Sequence, residues 1–130
     1  MKKLNSILLV DDDPTSCFLT QYIIEEMQLT DQVYTLAGGR EALDFIRLRG
    51  GLPDFCLDLI LLDINMPDMD GFEFLEAFEN LPNKLKSAVV MLTTSSNRRD
   101  VDKAKIYQVI DYLNKPITEE KLTDIMNKHF

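Results

Sequence analysis

The chain has 130 residues, enough for one compact domain, and 45% of them are hydrophobic, which excludes an intrinsically disordered protein. It carries 14 lysine and arginine residues against 22 aspartate and glutamate residues, and the net charge of -8 argues against direct binding to nucleic acid. The single histidine, His129, lies next to the last residue, so catalysis that needs an internal imidazole is excluded.

The first element along the chain is a short apolar run, from Ser6 to Val10, which three aspartates follow directly. A run this short predicts a buried strand and excludes a signal peptide. Elsewhere, too, no apolar run of the sequence approaches the roughly 20 residues that cross a bilayer. We therefore expect a cytoplasmic protein that does not insert into a membrane.

Strand-like and helix-like segments alternate along the rest of the chain. Short apolar runs predict five strands, at residues 6–10, 32–37, 57–62, 88–92 and 109–113. A segment with apolar residues at helical spacing follows each of them, and the fourth such helix is predicted over residues 98–107. This alternation predicts an α/β, flavodoxin-like (βα)5 fold in three layers, with a five-stranded parallel sheet of order 2-1-3-4-5.

Polar side chains end four of the five predicted strands. They are Asp11, Asp12, Asp13, Asp63, Thr93 and Lys115. In a sheet of this order, ligands bind beyond the carboxyl ends of the strands, between strands 1 and 3. Carboxylates that meet there repel unless they share a cation, and Mg2+ prefers such oxygen ligands. A carboxylate nucleophile, a hydroxyl, an ammonium group and Mg2+ are the groups that phosphoryl transfer needs.

Single members of this set have other readings. Asp13 precedes a proline and is favoured as a helix cap over a metal ligand. Thr93 alone would suit a strand as a β-branched residue, and an isolated lysine is usually solvated. Asp68 and Asp70 lie beside a proline and a glycine, which predicts turn residues. The conjunction of polar groups at four strand ends nevertheless favours a functional site.

Four segments, within a match from Ser6 to about Met126, carry a resemblance to a known family. They are residues 7–14 (ILLVDDDP), 58–71 (DLILLDINMPDMDG), 89–93 (VVMLT) and 111–116 (DYLNKP). In this order and at these spacings they are similar to the receiver domain of two-component response regulators, the CheY-like family. The resemblance therefore implies a single receiver domain over residues 1–130, with no output domain.

The resemblance implies an acceptor and a metal site. Asp63 would be the residue that takes the phosphoryl group. Asp12 would bind Mg2+ directly, Asp11 would bind it mainly through water, and Asn65 would offer its backbone carbonyl. The protein would assist its own phosphorylation and dephosphorylation and would not otherwise be an enzyme.

The resemblance also implies a switch. Thr93 would hydrogen-bond the phosphoryl group and move toward it, while Lys115 would pair with that group. Tyr112 would turn inward as Thr93 moves, and the bond between Lys115 and Pro116 would be cis. Gln108 departs from the family pattern, which often has glycine at this position, so the backbone before strand 5 is left open.

The implied partners are proteins. A sensor histidine kinase or a histidine phosphotransfer protein would donate the phosphoryl group, and a downstream protein would bind helix 4, strand 5 and helix 5. That face would include several basic residues and a tyrosine, for which a solvated helix is an equal alternative: Arg98, Arg99, Lys103, Lys105 and Tyr107. The chain would be a monomer or a weak, phosphorylation-dependent dimer.

Two other functions stay open at this stage. Asp11, Asp13 and Thr15 also match the first motif of haloacid-dehalogenase-like phosphatases, although Asp63 would then have no role. The other alternative is a receiver-like interaction module that is never phosphorylated. A small phosphoryl donor would separate the three functions, because a receiver is labelled on Asp63, a phosphatase on Asp11 and an interaction module on neither.

Overall fold

The structure is a computed structural model, and it describes residues 2–81, 86–94 and 98–130, with the side chain of Arg98 left out. The predicted basic character of Arg98 therefore lies outside the described residues. Within them, strands and helices alternate five times. The strands are β1 (Ile7–Val10), β2 (Val33–Leu36), β3 (Leu59–Asp63), β4 (Ala88–Thr93) and β5 (Val109–Asn114). The helices are α1 (Pro14–Glu26), α2 (Gly39–Arg49), α3 (Gly71–Glu79), α4 (Arg98–Ala104) and α5 (Glu119–His129).

The five strands form one parallel sheet in the order β2-β1-β3-β4-β5, which confirms the predicted fold and strand order. Successive side chains of β1 enter different layers, because strand side chains alternate between faces. Leu8 and Val10 pack on the side of α2 and α3, while Ile7 and Leu9 pack on the side of α1 and α5. Burial on both faces explains why β1 and β3 read as continuous apolar runs.

Side chains fix the starts of three helices. Asp13 accepts a hydrogen bond from the backbone N–H of Thr15 at 3.1 Å, which confirms its reading as a helix cap. Asp70 was predicted as a turn residue, but it caps α3, where its side chain and that of Glu73 form a reciprocal capping box. Thr118 caps α5, where its side chain accepts a hydrogen bond from the backbone N–H of Lys121.

The fourth helix is shorter than the predicted residues 98–107. It ends at Ala104, its buried apolar residue, and the chain continues through tighter bonds between residues three apart. These bonds run from the N–H groups of Lys105 and Tyr107 to the carbonyls of Asp102 and Ala104. The chain must turn here because β5 begins at Val109, so Lys105 and Tyr107 lie in a turn.

Candidate functional site

The parallel register brings the strand ends together at one edge of the sheet. Val10 lies opposite Leu62 in the ladder between β1 and β3, so the residues that follow them, Asp11 and Asp63, are neighbours. Asp63 is the last residue of β3 itself, one position beyond the predicted strand. Thr93 ends β4 in the same way. Two of the predicted site residues, Asp63 and Thr93, are therefore held within strands, and Asp11 directly follows one.

Three carboxylates meet at this edge. Asp11, Asp12 and Asp63 each offer one oxygen, and these oxygens lie within 4.8 Å of one another. Asp11 is 1% exposed and Asp63 is 4% exposed, whereas Asp12 faces solvent. The backbone N–H of Asp13 donates to Asp11 at 3.0 Å, which fixes one of the two oxygens of Asp11.

Lys115 supplies the positive charge of the site. Its Nζ lies 2.6 Å from Asp11 and 3.5 Å from Asp63, and its side chain is 11% exposed. The backbone N–H of Lys115 donates to the carbonyl of Thr93 at 2.7 Å, and its peptide bond to Pro116 is cis, as expected. Burial alone would lower the pKa of Lys115, but the two carboxylates outweigh that effect and raise it, so the amine stays protonated.

The pKa of Asp63 is raised to about 6. The first cause is burial, which disfavours the carboxylate, and the negative charge of Asp11 adds to it. Lys115 and the backbone N–H of Asn65 act in the opposite direction but do not offset the rise. One ammonium group thus contacts two buried carboxylates while Asp12 adds a third beside them, so the site carries an excess of negative charge.

These residues fit a hard divalent cation. The donors are carboxylate oxygens, two of them buried, and one lysine does not neutralise them. Asp11, Asp12 and Asp63 could hold Mg2+ in the predicted way, while the role of the Asn65 carbonyl stays a prediction. Asp68 serves elsewhere, since it accepts a hydrogen bond from Arg40 at 2.8 Å.

The two predicted switch residues lie close together on neighbouring parts of the fold. Thr93 is fully buried, and Tyr112 of β5 is half-buried with its hydroxyl inside the protein. Burial raises the pKa of Tyr112, and a hydrogen-bonding interaction with Thr93 partly opposes the rise. Within the described residues the buried tyrosine hydroxyl has no hydrogen-bond partner by distance and angle, while the ring packs against the core.

Sequence reasoning missed two contacts around the site. The thiol of Cys17, from α1, donates to the backbone carbonyl of Asp11 at 3.2 Å. Lys121, in the first turn of α5, donates to the carbonyls of Asn114 and Pro116, on either side of Lys115. The signal for Lys121 was present, because a lysine is an unusual third residue after a threonine helix cap.

Comparisons with known proteins identify relatives of the whole chain. A family model of the response regulator receiver domain matches residues 7–127. The chain is 34% identical over 116 residues to the probable methanogenesis regulatory protein FilR2 of Methanothrix harundinacea, covering 89% of this chain and 75% of that protein. It is 35% identical over 119 residues to the two-component response regulator ORR24 of Oryza sativa, of which it spans 18%.

Solved structures agree with these relatives. The crystal structure of a two-component response regulator from Cytophaga hutchinsonii aligns with a TM-score of 0.87 at 32% identity, over 98% of this chain and 97% of that one. The chemotaxis protein CheY4 of Vibrio cholerae aligns with a TM-score of 0.81 at 27% identity, over 98% and 99%. These matches confirm the resemblance inferred from the four motifs. No helix among the described residues is long and apolar enough to span a bilayer.

Proposed function

The chain belongs to the family of response regulator receiver domains, the signalling modules of two-component systems, and we propose that it accepts a phosphoryl group on Asp63. The observation that carries this proposal is a group of three carboxylates, two of which, Asp11 and Asp63, contact the ammonium of Lys115. A buried, uncompensated acidic cluster of this kind costs stability, so a structural role explains it poorly.

Asp63 suits the acceptor role better than Asp11. One oxygen of Asp11 accepts the N–H of Asp13, and the other lies 2.6 Å from Lys115. Asp63 accepts a hydrogen bond from the backbone N–H of Asn65, but it lies 3.5 Å from Lys115, so its contact with the ammonium is the weaker of the two. This difference favours a receiver over a phosphatase that would use Asp11 as its nucleophile.

The transfer is a displacement at phosphorus. A carboxylate oxygen of Asp63 forms the new P–O bond while the P–N bond of a phosphohistidine breaks, and the imidazole nitrogen of the donor keeps the electron pair. Bound Mg2+ would neutralise negative charge on the phosphoryl oxygens. Thr93, at the end of β4, supplies a hydroxyl, and Lys115, in the loop directly after β5, supplies a cation, so the two orient the acceptor and the incoming group.

The phosphoryl group then biases the switch. It replaces the single negative charge of the Asp63 carboxylate with roughly −1.5 to −2 charges at the end of β3 and attracts the groups on β4 and beyond β5. Movement of Thr93 toward it would change the contact with the inward hydroxyl of Tyr112. The face formed by α4, β5 and α5 would carry this change to a downstream protein.

The proposed donor is a sensor histidine kinase or a histidine phosphotransfer protein, and the proposed place of action is the cytoplasm. The chain would act as a monomer or as a weak dimer that forms on phosphorylation. Outside this exchange of its own phosphoryl group it would have no enzymatic activity.

The test is phosphorylation by acetyl phosphate in the presence of Mg2+, followed by mass spectrometry of the intact chain and of its peptides. We expect one phosphoryl group on Asp63 and none in Asp63→Asn. Asp68→Asn is the matched control, because it removes an exposed carboxylate from the following loop and should be labelled like the wild type.

Each other outcome assigns a different function. A label on Asp11 would assign the phosphatase reading and refute the receiver reading. If no residue of the folded protein is labelled with Mg2+ present, the chain would be assigned as a receiver-like interaction module that is never phosphorylated.

A further inference from the structure

We propose that Lys121 is a positioning residue that holds the loop carrying Lys115 and so sets where the ammonium of Lys115 lies. This inference rests on the proposed function, because it concerns the residue that pairs with Asp63 and with the incoming phosphoryl group. Lys121 would not itself touch that group.

The contacts of Lys121 surround Lys115 on the chain. Its Nζ donates to the carbonyl of Asn114 at 2.7 Å and to the carbonyl of Pro116 at 2.9 Å. One ammonium group therefore bridges the residues immediately before and after Lys115. Hydrogen bonds from a charged donor are shorter and stronger than neutral ones, so this bridge restrains the loop more than a neutral side chain would.

A comparison of the starts of α3 and α5 indicates that the side chain of Lys121 does not cap its own helix. Asp70 caps helix α3 and Glu73 is the third residue of that helix, and the two side chains cap the helix reciprocally. Thr118 caps helix α5, and Lys121 is the third residue of that helix, the position that Glu73 holds in α3. The backbone N–H of Lys121 still donates to the Thr118 hydroxyl, but its side chain turns away from the helix to the loop.

The charge of Lys121 is also unfavourable at the start of α5. The start of a helix carries partial positive charge, so a lysine in the first turn is unfavourable, whereas Glu119 and Glu120 are favourable there. A glutamate or glutamine at residue 121 would complete a capping box. The chain instead has the residue that can satisfy two carbonyl groups of the loop.

Other contacts among the described residues hold the loop from the side of the site. The backbone N–H of Lys115 donates to the carbonyl of Thr93 at 2.7 Å, and the Lys115 ammonium contacts Asp11. Lys121 adds an anchor from α5. Misplacement of a reacting group by about 1 Å can cost roughly a hundredfold in rate, so a modest shift of this loop should be measurable.

The experiment compares the wild type with Lys121→Gln. Glutamine is compatible with the start of α5, where its side chain could complete a capping box, but it removes the charged bridge to the loop. We expect the maximal rate of labelling by acetyl phosphate with Mg2+ to fall about tenfold, while the midpoint of thermal unfolding stays within about 3 °C. Lys128→Gln removes the same charge from the last turn of α5 and should leave the rate unchanged. Lys121→Arg should restore part of the rate.

Two further readouts separate positioning from charge or stability. In a Lys115→Gln background, Lys121→Gln should cause no further loss of rate, because there is no ammonium group left to position. In the metal-free protein, hydrogen exchange at the Lys115 amide should be about tenfold faster in Lys121→Gln than in the wild type. This second readout does not depend on phosphorylation.

An unchanged labelling rate, an equal loss in both backgrounds, or a loss in Lys128→Gln as well would overturn the inference while the wild type is still labelled. If the wild type is not labelled on Asp63, the proposed function fails instead. The amide exchange then still decides whether Lys121 holds the loop, and an unchanged exchange rate would refute it.

Discussion

The two ends of the parallel sheet handle buried polar groups in different ways. At the amino end, Ser6 donates from its hydroxyl to the carbonyl of Cys56, and Asp58 accepts hydrogen bonds from the backbone and side chain of Asn5. At the carboxyl end, three carboxylates lie together, and two of them share the ammonium of Lys115. One end pairs its polar groups with neutral partners, and the other concentrates charge of one sign.

This contrast indicates which end of the sheet lowers the stability of the fold. Hydrogen bonds at the amino end, which join neutral groups to each other or to the single carboxylate of Asp58, each contribute modestly and need no ligand. Excess negative charge at the carboxyl end disfavours folding until a cation or a proton compensates it. We infer that the amino end serves the fold and the carboxyl end serves the chemistry.

Removal of the lysine should have the largest effect. Lys115→Met leaves Asp11 and Asp63 buried without their cation, so we expect the free energy of unfolding at pH 7, without Mg2+, to fall by about 3 kcal/mol. Urea unfolding followed by circular dichroism measures it. A stability equal to that of the wild type would mean that the carboxylates are not electrostatically stressed.

The pH dependence of stability should show the next largest effect. The folded pKa of Asp63, about 6, lies above its usual 3.8, so folded protein binds a proton that the unfolded chain has lost. The contribution of Asp63 to stability is therefore complete below about pH 4 and declines as the pH rises through about 6. Relative to Asp63→Asn, the metal-free wild type should lose about 2 kcal/mol between pH 4 and pH 7.

Urea unfolding of both proteins at several pH values in EDTA gives this difference directly. Comparison with Asp63→Asn cancels the titration of carboxylates elsewhere. A difference that stays constant, or that grows in favour of the wild type as the pH rises, would contradict the raised pKa.

A substitution at the amino end should have the smallest effect. Asp58→Ala removes two hydrogen bonds to Asn5, so we expect the free energy of unfolding to fall by about 1 kcal/mol. The rate at which acetyl phosphate labels Asp63 should not change, and measuring both quantities tests the division between the two ends. A slower labelling rate would show that the amino end also serves the chemistry.

The sequence predicted the carboxyl end well because its signals are local. Asp11, Asp63 and Thr93 directly follow predicted strands and Lys115 follows one after a single residue, and parallel strands bring such positions to one edge. Asp11, Asp63 and Lys115 could therefore be grouped before any coordinates were known. The same reasoning predicted the sheet order.

Contacts between distant segments could not be predicted in this way. Asn5 and Asp58 are 53 residues apart, and nothing in either local sequence indicates their pairing. Asp70 was predicted as a turn residue because a glycine follows it, whereas the capping box depends on Glu73 three residues later. Helix α4 ends early because the chain must turn into β5, a tertiary constraint that outweighs its helical spacing.

The central claim is that the carboxyl end of the sheet carries an excess of negative charge. Its most direct test is the stability of wild type and Asp63→Asn at pH 7, each measured with and without saturating Mg2+. Without Mg2+ we expect Asp63→Asn to be more stable, by about 2 kcal/mol, and we expect Mg2+ to stabilise the wild type far more than the variant. A wild type that is already the more stable protein without Mg2+, or that gains nothing from the ion, would contradict this account.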